Sequence, residues 1–296
     1  MELVPICSDF GAELRGVDLV DVATSDEAYR RVRAAFEEHS VLLFRDQQVT
    51  DDVQAAFSRA FGPLEIVKVG SEGEGTFYSR LHNVAADGTP VDEKHRYALT
   101  ARANQLWHTD SSFKKTPALA SVLSARTVAR DGGETEFTST RRAWGRLSSA
   151  MQGRVRDAIV THAYAYSRDQ VDAELMTSSE RAALPPVRWR MTWRNPVNGR
   201  VSLYLASHAY AIDGLSDTEA RALLDELIGE ATRPEFVYRH RWRAGDVLMW
   251  DNRATMHRGR PWPSEQPRSV VRTTISAVEA DGLADVRPGL RPGLRN

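Results

Sequence analysis

A mainly antiparallel double sheet of jelly-roll type, with helices packed outside it, is the fold the sequence predicts. Short runs rich in β-branched and aromatic residues are bounded by Gly, Pro, Asn or Asp, as half-buried strands are. Helical periodicity is confined to a few stretches. The strands do not alternate regularly with helices, which argues against a doubly wound parallel sheet.

In chain order, residues 26–38 read as a helix, with Tyr29, Val32 and Phe36 on one face and Thr24 with Glu27 as a capping box. Val41–Phe44 follows as a strand. Residues 51–61 make a second helix, capped by Thr50, lined by Val53, Phe57 and Ala60, and stopped at Gly62–Pro63. The stretch 68–105 has scattered glycines, many charges and no period, so it reads as a long loop and a candidate lid. Ala118–Thr127 and Glu134–Thr138 are strands. Region 140–160 reads as helical, with Met151, Val155 and Ile159 four apart. Val201–Leu205 is a strand. Residues 217–228 form a helix behind the capping box of Ser216 and Glu219, with Leu223, Leu224, Leu227 and Ile228 on its apolar face. Phe236–Trp242, Asp246–Asp251 and Val270–Ser276 complete the strands. Residues 281–296, ending RPGLRPGLRN, read as a poorly ordered tail. No internal repeat or low-complexity linker divides the chain, and 1–296 reads as a single domain.

Composition narrows the function. The 296 residues are 42% hydrophobic and 27% charged, with a formal net charge of −1. That balance argues against a nucleic-acid partner, which calls for a basic excess. A lone Cys7 excludes an intramolecular disulfide and a cysteine zinc site. The start, MELVPICSDFGAEL, is not a signal peptide, and no run approaches the roughly 20 apolar residues of a membrane helix. The expected setting is a reducing cytoplasm without a membrane partner.

The chemistry centres on LWHTDSSF, residues 106–113. In an extended segment His108 and Asp110 point to the same side. With 8 His in the chain, about one His-x-acid step arises by chance, so the step needs a third partner. His257, in MWDNRATMHRGRP just past a strong strand, is the candidate. Two histidines and a carboxylate with open positions form the facial triad of non-haem Fe(II) oxygenases. A chelating 2-oxo acid such as 2-oxoglutarate carries a distal carboxylate, which a guanidinium neutralises. Arg268 and Arg272, in QPRSVVRTTIS, lie four apart and share a strand face at about 13 Å. One can clamp the co-substrate while the other meets an anionic substrate. Thr135, in DGGETEF, is a strand hydroxyl after a Gly–Gly turn. Trp107 and Trp250 flank the proposed ligands, with core packing as their first role and shielding or substrate stacking as a second. His208 and Tyr210 are candidate pocket residues; His82, His162 and His240 read as structural or surface. The same triad would suit a zinc hydrolase, but hydrolysis has no use for the arginines or Thr135. A jelly-roll binding module without turnover is disfavoured because all three ligands are present.

Together NQLWHTDSSF, GGETEF, EFVYRHRW, GDVLMWDNRATMHR and PRSVVRTT resemble the taurine dioxygenase / 2,4-dichlorophenoxyacetate dioxygenase family, nearer the aryloxyacetate branch. The likeness runs from GAELRGVDL and VLLFRDQQVTDDVQAAFSRAFGPLE to about residue 276. It implies a double-stranded β-helix, Fe(II), 2-oxoglutarate and O₂. Residue by residue, it implies that His108, Asp110 and His257 hold iron, Thr135 and Arg268 hold 2-oxoglutarate, and Arg272 binds the substrate's anionic group. Asn104, Ser112 and Lys68 match positions lining the substrate pocket. The carboxylate at Asp110 disfavours halogenation. The implied substrate is a small anion, an aryloxyalkanoate such as 2,4-dichlorophenoxyacetate cleaved to a phenol and glyoxylate. The alternative is a sulfonate or amino-acid-derived metabolite. The resemblance also leaves room for a homo-oligomer.

Overall fold

The strand VLLF, Val41–Phe44, is buried along its whole length, and so is VLMWD, Val247–Asp251. Strands buried on both faces show continuous apolar runs, not alternation, and belong in the middle of a sheet. They pair antiparallel there, Val41 opposite Trp250 and Phe44 opposite Val247. The computed structural model describes residues 1–67, 73–83 and 96–289, with the side chains of 96–98 excepted. Its large sheet has seven strands, in the order Glu2–Pro5, Ala12–Arg15, Val41–Phe44, Val247–Asp251, Ala118–Thr127, Ser269–Ser276 and Ser79–His82. All pairs are antiparallel except Ala12–Arg15 with Val41–Phe44. A smaller antiparallel sheet places Thr135–Ser139 between Val237–His240 and Thr255–Gly259.

The period-2 alternation of strands decides what each face of the large sheet meets. Leu42, Phe44 and Met249 pack with Phe36, Phe57 and Phe61 from the helices Asp26–His39 and Asp51–Phe61. Val41, Leu43, Leu248 and Trp250 pack with Phe137 of the smaller sheet. The space between the two sheets is therefore lined by the second face, and the site lies there.

The helix starts show where local chemistry wins. Ser25, not Thr24, caps Asp26–His39, accepting from the Ala28 N–H at 3.3 Å. Thr24 is already the end of a preceding helix, Leu19–Thr24, with its hydroxyl on the Val20 carbonyl. The Thr50 cap and the Ser216–Glu219 box are present as the sequence predicts. Region 140–160 is not one helix. Ser139 and Ser148 each cap a short one, Thr140–Arg146 and Ser149–Val155, and Ile159 opens a strand to His162. Nor is 68–105 all loop, for it contributes the Ser79–His82 strand and the helix Arg96–Ala103. Residues 281–286, expected within a poorly ordered tail, are packed into the fold. Asp281, Leu283 and Val286 are buried, and Arg33 pairs with Asp281 at 3.1 Å, so residues to 286 belong to the core. Residues 290–296 lie outside the described residues. Among the described residues, no helix is long and apolar enough to cross a membrane.

Candidate metal centre and its cavity

The backbone brings His108 to His257 directly. The two form an antiparallel bridge, each N–H donating to the other's carbonyl at 3.0 and 2.8 Å. Residues directly opposite in such a bridge share a side, and the rings lie 4.3 Å apart, centre to centre. Asp110, two residues on from His108, points to the same side, and the chain turns just after it at Ser111, which adopts φ +55°. Its carboxylate lies 3.9 Å from the His108 Nε2 and 3.8 Å from the His257 Nε2. The three ligand atoms all fall within 4.8 Å of one another, and all three side chains are buried.

The surrounding hydrogen bonds aim these groups. The His108 Nδ1 lies 2.7 Å from the Leu106 carbonyl, so that nitrogen donates and Nε2 keeps its lone pair. Burial lowers the affinity of both histidines for a proton, which keeps them neutral, the form that binds a metal. For Asp110 burial acts upward, but the Arg272 guanidinium, with the Ser121 hydrogen bond, outweighs it and holds the carboxyl well below its usual range. The Arg272 Nη1 donates to Asp110 Oδ1 and the Ser121 hydroxyl donates to Oδ2, both at 2.6 Å. Asn252 ties the two halves of the site together. Its side-chain oxygen accepts from the Asp110 N–H at 3.1 Å, its carbonyl accepts from the Thr109 hydroxyl, and its amide donates to Ser121. Two imidazoles, one carboxylate and an adjacent open cavity match the donor set of a facial-triad Fe(II) site.

That cavity, of about 130 Å³, is lined by His108, His257, Thr135, Arg268, Arg272 and Asn104. Sheet register explains the grouping. His257 pairs with Phe137, so Thr135, two residues along, shares its face. Arg272 pairs with Leu123 and Ser79, which also line the cavity. Arg268 is 7% exposed, and among the described residues no carboxylate pairs with its guanidinium, which lies over the Trp262 ring at 4.8 Å. Burial alone lowers its pKa to about 10. The Thr135 hydroxyl accepts from the Trp242 indole N–H at 3.0 Å. A smaller lobe of about 70 Å³ adjoins, reached by Asp110, His108, Asn104, Arg272 and His208.

The family model of taurine catabolism dioxygenase TauD, TfdA family, matches residues 2–274. The chain belongs to the TauD/TfdA family. It is therefore a dioxygenase, and its curated relatives match it along most of their length. One is the α-ketoglutarate-dependent 2,4-dichlorophenoxyacetate dioxygenase of Cupriavidus pinatubonensis, 38% identical over 91% of this chain and 96% of the relative. Another is the (S)-phenoxypropionate/α-ketoglutarate dioxygenase of Sphingobium herbicidovorans, 32% identical over 96% and 97%. The crystal structure of AAD-2 in complex with Mn(II) and N-oxalylglycine superposes with a TM-score of 0.87 at 37% identity, covering 95% of this chain and 99% of AAD-2.

The remaining candidates of this TauD/TfdA chain fall partly inside the cavity and partly outside it. Ser112 does not line the cavity. It is fully buried, its hydroxyl 3.1 Å from the His162 Nδ1 and its carbonyl accepting from the Trp189 indole. The left-handed turn at Ser111 redirects the chain, so the alternation that held for His108 and Asp110 does not extend to it. Lys68 lies outside the described residues. Tyr210 stacks on Tyr166 and lines neither lobe, whereas His208 lines the smaller one. His82, read as structural or surface, lines the larger. Trp107 packs under Arg258, and Trp250 both packs and faces the cavity, 4.6 Å from the His257 ring. Sequence reasoning missed Ser121 and Asn252, and also Tyr164, Arg168 and Met176, which wall the cavity. Asn252 sits inside a motif quoted for its histidine, so its place beside the ligand strand was the available signal. Arg168 carried none.

Proposed function

We propose that this dioxygenase uses Fe(II), 2-oxoglutarate and O₂ to hydroxylate a small aryloxyalkanoate, such as 2,4-dichlorophenoxyacetate, on the carbon beside its ether oxygen. The metal ligands are His108, Asp110 and His257. Fe(II) with bound 2-oxoglutarate supplies O₂ activation and replaces a substrate C–H by C–OH, with release of succinate and CO₂. The chain's task is placement. Arg268, with the Thr135 hydroxyl beside it, takes the distal carboxylate of 2-oxoglutarate. Arg272 keeps Asp110 ionised and offers its remaining donors to the substrate's carboxylate. Asn104 lines the cavity between helix Arg96–Ala103 and the metal ligands, its carbonyl tied to the Gly259 N–H at 2.9 Å. Leu123, Leu175, Met176 and Tyr164 give the cavity the apolar wall an aryl ring needs. A hydroxylated carbon bearing an ether oxygen is a hemiacetal, and it falls apart to a phenol and glyoxylate. The reading also takes the two facing sheets as a double-stranded β-helix, supported by the likeness to solved members of the family.

The observation that carries this reading is the Arg268 guanidinium, buried without a counter-ion among the described residues in the cavity where the three ligands converge. Burying a lone charge is strongly unfavourable unless a ligand supplies the opposite one. Anaerobic addition of Fe(II) and 2-oxoglutarate should give a weak visible charge-transfer band. Admitting O₂ with phenoxyacetate should then release succinate, phenol and glyoxylate in equal amounts. Succinate release that no aryloxyalkanoate stimulates would sink the substrate assignment; absence of the band would sink the co-substrate.

A further inference from the structure

A second buried guanidinium also has no counter-ion among the described residues. Arg168, on the helix Tyr164–Asp169, is 6% exposed and lines both lobes of the cavity. Its guanidinium stacks over the Tyr164 ring at 4.2 Å. Among the described residues no carboxylate pairs with it, and its buried Nε has no hydrogen-bond partner. By contrast the buried Arg253 is held by Asp251 and Glu37, and the half-buried Arg272 by Asp110. A guanidinium has five donors and cannot shed its proton, so the cost of burying it is met only by an anion.

The segment that carries Arg168 is fixed in advance. The neighbouring Ser167 hydroxyl donates to the Tyr164 carbonyl at 2.9 Å and lies 2.7 Å from the Nδ1 of buried His208. His208 in turn packs 6.1 Å from the His108 ring. A charged group held next to the metal ligands, with its Nε unpartnered and no carboxylate beside it among the described residues, is preorganised for a ligand.

We propose that Arg168 is a substrate-reading residue that binds the substrate's anionic group. Arg272 reaches the same space from the Ser269–Ser276 strand. The inference rests on the functional reading above, since it assigns Arg268 to 2-oxoglutarate and leaves Arg168 for the substrate. It divides the work of the two other arginines. Arg272 spends its Nη1 on Asp110 and so is a positioning residue for the metal ligand as well as a substrate contact. Among the described residues Arg168 has no carboxylate partner, so its fork can make a bidentate hold on a carboxylate or sulfate.

The test uses the full chain loaded with Mn(II) and N-oxalylglycine, which binds ligands without turnover, and reads binding by calorimetry. The probes are phenoxyacetate, its neutral amide phenoxyacetamide, and octyl sulfate. Arg168→Met should weaken phenoxyacetate about thirty-fold or more, as loss of a buried charge partner does. Phenoxyacetamide and N-oxalylglycine should bind nearly as in the wild type, and Arg168→Lys should fall between. The unliganded Arg168→Met protein should melt at or above the wild type, because an unpaired buried charge has gone; a merely structural arginine would lower the melting point. If Arg168→Met does not fold, Arg168→Lys carries the comparison, and selective loss of the anion over the amide supports the assignment. Unchanged anion binding overturns it, as does a loss confined to N-oxalylglycine. A wild type that binds octyl sulfate but not phenoxyacetate sinks the aryloxyalkanoate reading alone, and Arg168 is then judged on octyl sulfate. A wild type that binds neither sinks both.

Discussion

Arg268, just before the Ser269–Ser276 strand, and Arg272, within it, both line the cavity, yet their surroundings predict different phenotypes. Among the described residues no carboxylate pairs with Arg268, so on the proposed reading its replacement removes the co-substrate contact and its stack on Trp262. Arg268→Met should raise the 2-oxoglutarate concentration needed for half-maximal rate by about thirty-fold or more, with the substrate requirement nearly unchanged. Arg272→Met should instead weaken substrate binding and also loosen Fe(II), because Asp110 loses its 2.6 Å partner. Steady-state titration of each component separates the two, and the reverse pattern would show the roles exchanged. The buried histidines set a pH limit of another kind. Burial pushes His162 from an ordinary value of 6.5 down to about 3. Below pH 6.5 the unfolded chain takes up a proton that the folded chain refuses, so ν_U exceeds ν_N and stability rises with pH across that window. The expected loss from this group is about 1.4 kcal/mol for each pH unit as pH falls from 6.5 toward 3. His162→Gln should flatten the dependence by one proton in denaturant melts run between pH 4 and 7; an unchanged slope would mean the ring is protonated in the fold. His108, Asp110 and His257 were legible in the sequence as chemistry. The groups that aim them, Ser121 and Asn252, were not, because their roles come from contacts across 11 and 142 residues.

Gly132 and Gly133 form the turn into the Thr135–Ser139 strand, and both have positive φ, +72° and +70°. Their lack of side chains also matters to the site. A Cβ on Gly133 would come within 3.0 Å of the Arg268 Cδ and Nε, and one on Gly132 within 2.4 Å of the Pro261 carbonyl. Gly133→Ala should therefore destabilise the protein by about 1–2 kcal/mol through the left-handed backbone and push Arg268 from its place. The 2-oxoglutarate requirement should rise while Fe(II) binding holds. A variant that only lowers the melting point would show that Arg268 has room to move. Elements with strong local signals were readable: the Thr50 cap, the Ser216–Glu219 box and the buried strands Val41–Phe44 and Ala118–Thr127 all stand where their residues place them. The misreadings have local causes. Ser148 starts a new helix inside a pattern that looks continuous, and Arg96–Ala103 has an apolar pattern too weak to mark a helix.

At the scale of the molecule, the metal centre closes a loop of 149 residues, because His108 and His257 meet only when the two sheets face each other. That space holds an ionised Asp110, neutral buried histidines and a guanidinium at Arg268 that has no carboxylate beside it among the described residues. Ligands that bind only the folded chain should stabilise it by mass action, about 2.7 kcal/mol at a hundred times the dissociation constant. For a chain of this size that is a rise in melting temperature of about 5 °C or somewhat more. Mn(II) and N-oxalylglycine together should exceed the sum of their separate effects, because the chelating end needs the metal and the distal carboxylate needs Arg268. Asp110→Asn should lose the metal increment, and Arg268→Met should keep the metal increment while losing that of N-oxalylglycine. Thermal melts of the three proteins with each ligand alone and in combination decide the matter. If N-oxalylglycine stabilises the wild type equally with and without metal, then the arginine and the triad do not serve one bound molecule, and the assignment of this cavity to 2-oxoglutarate fails.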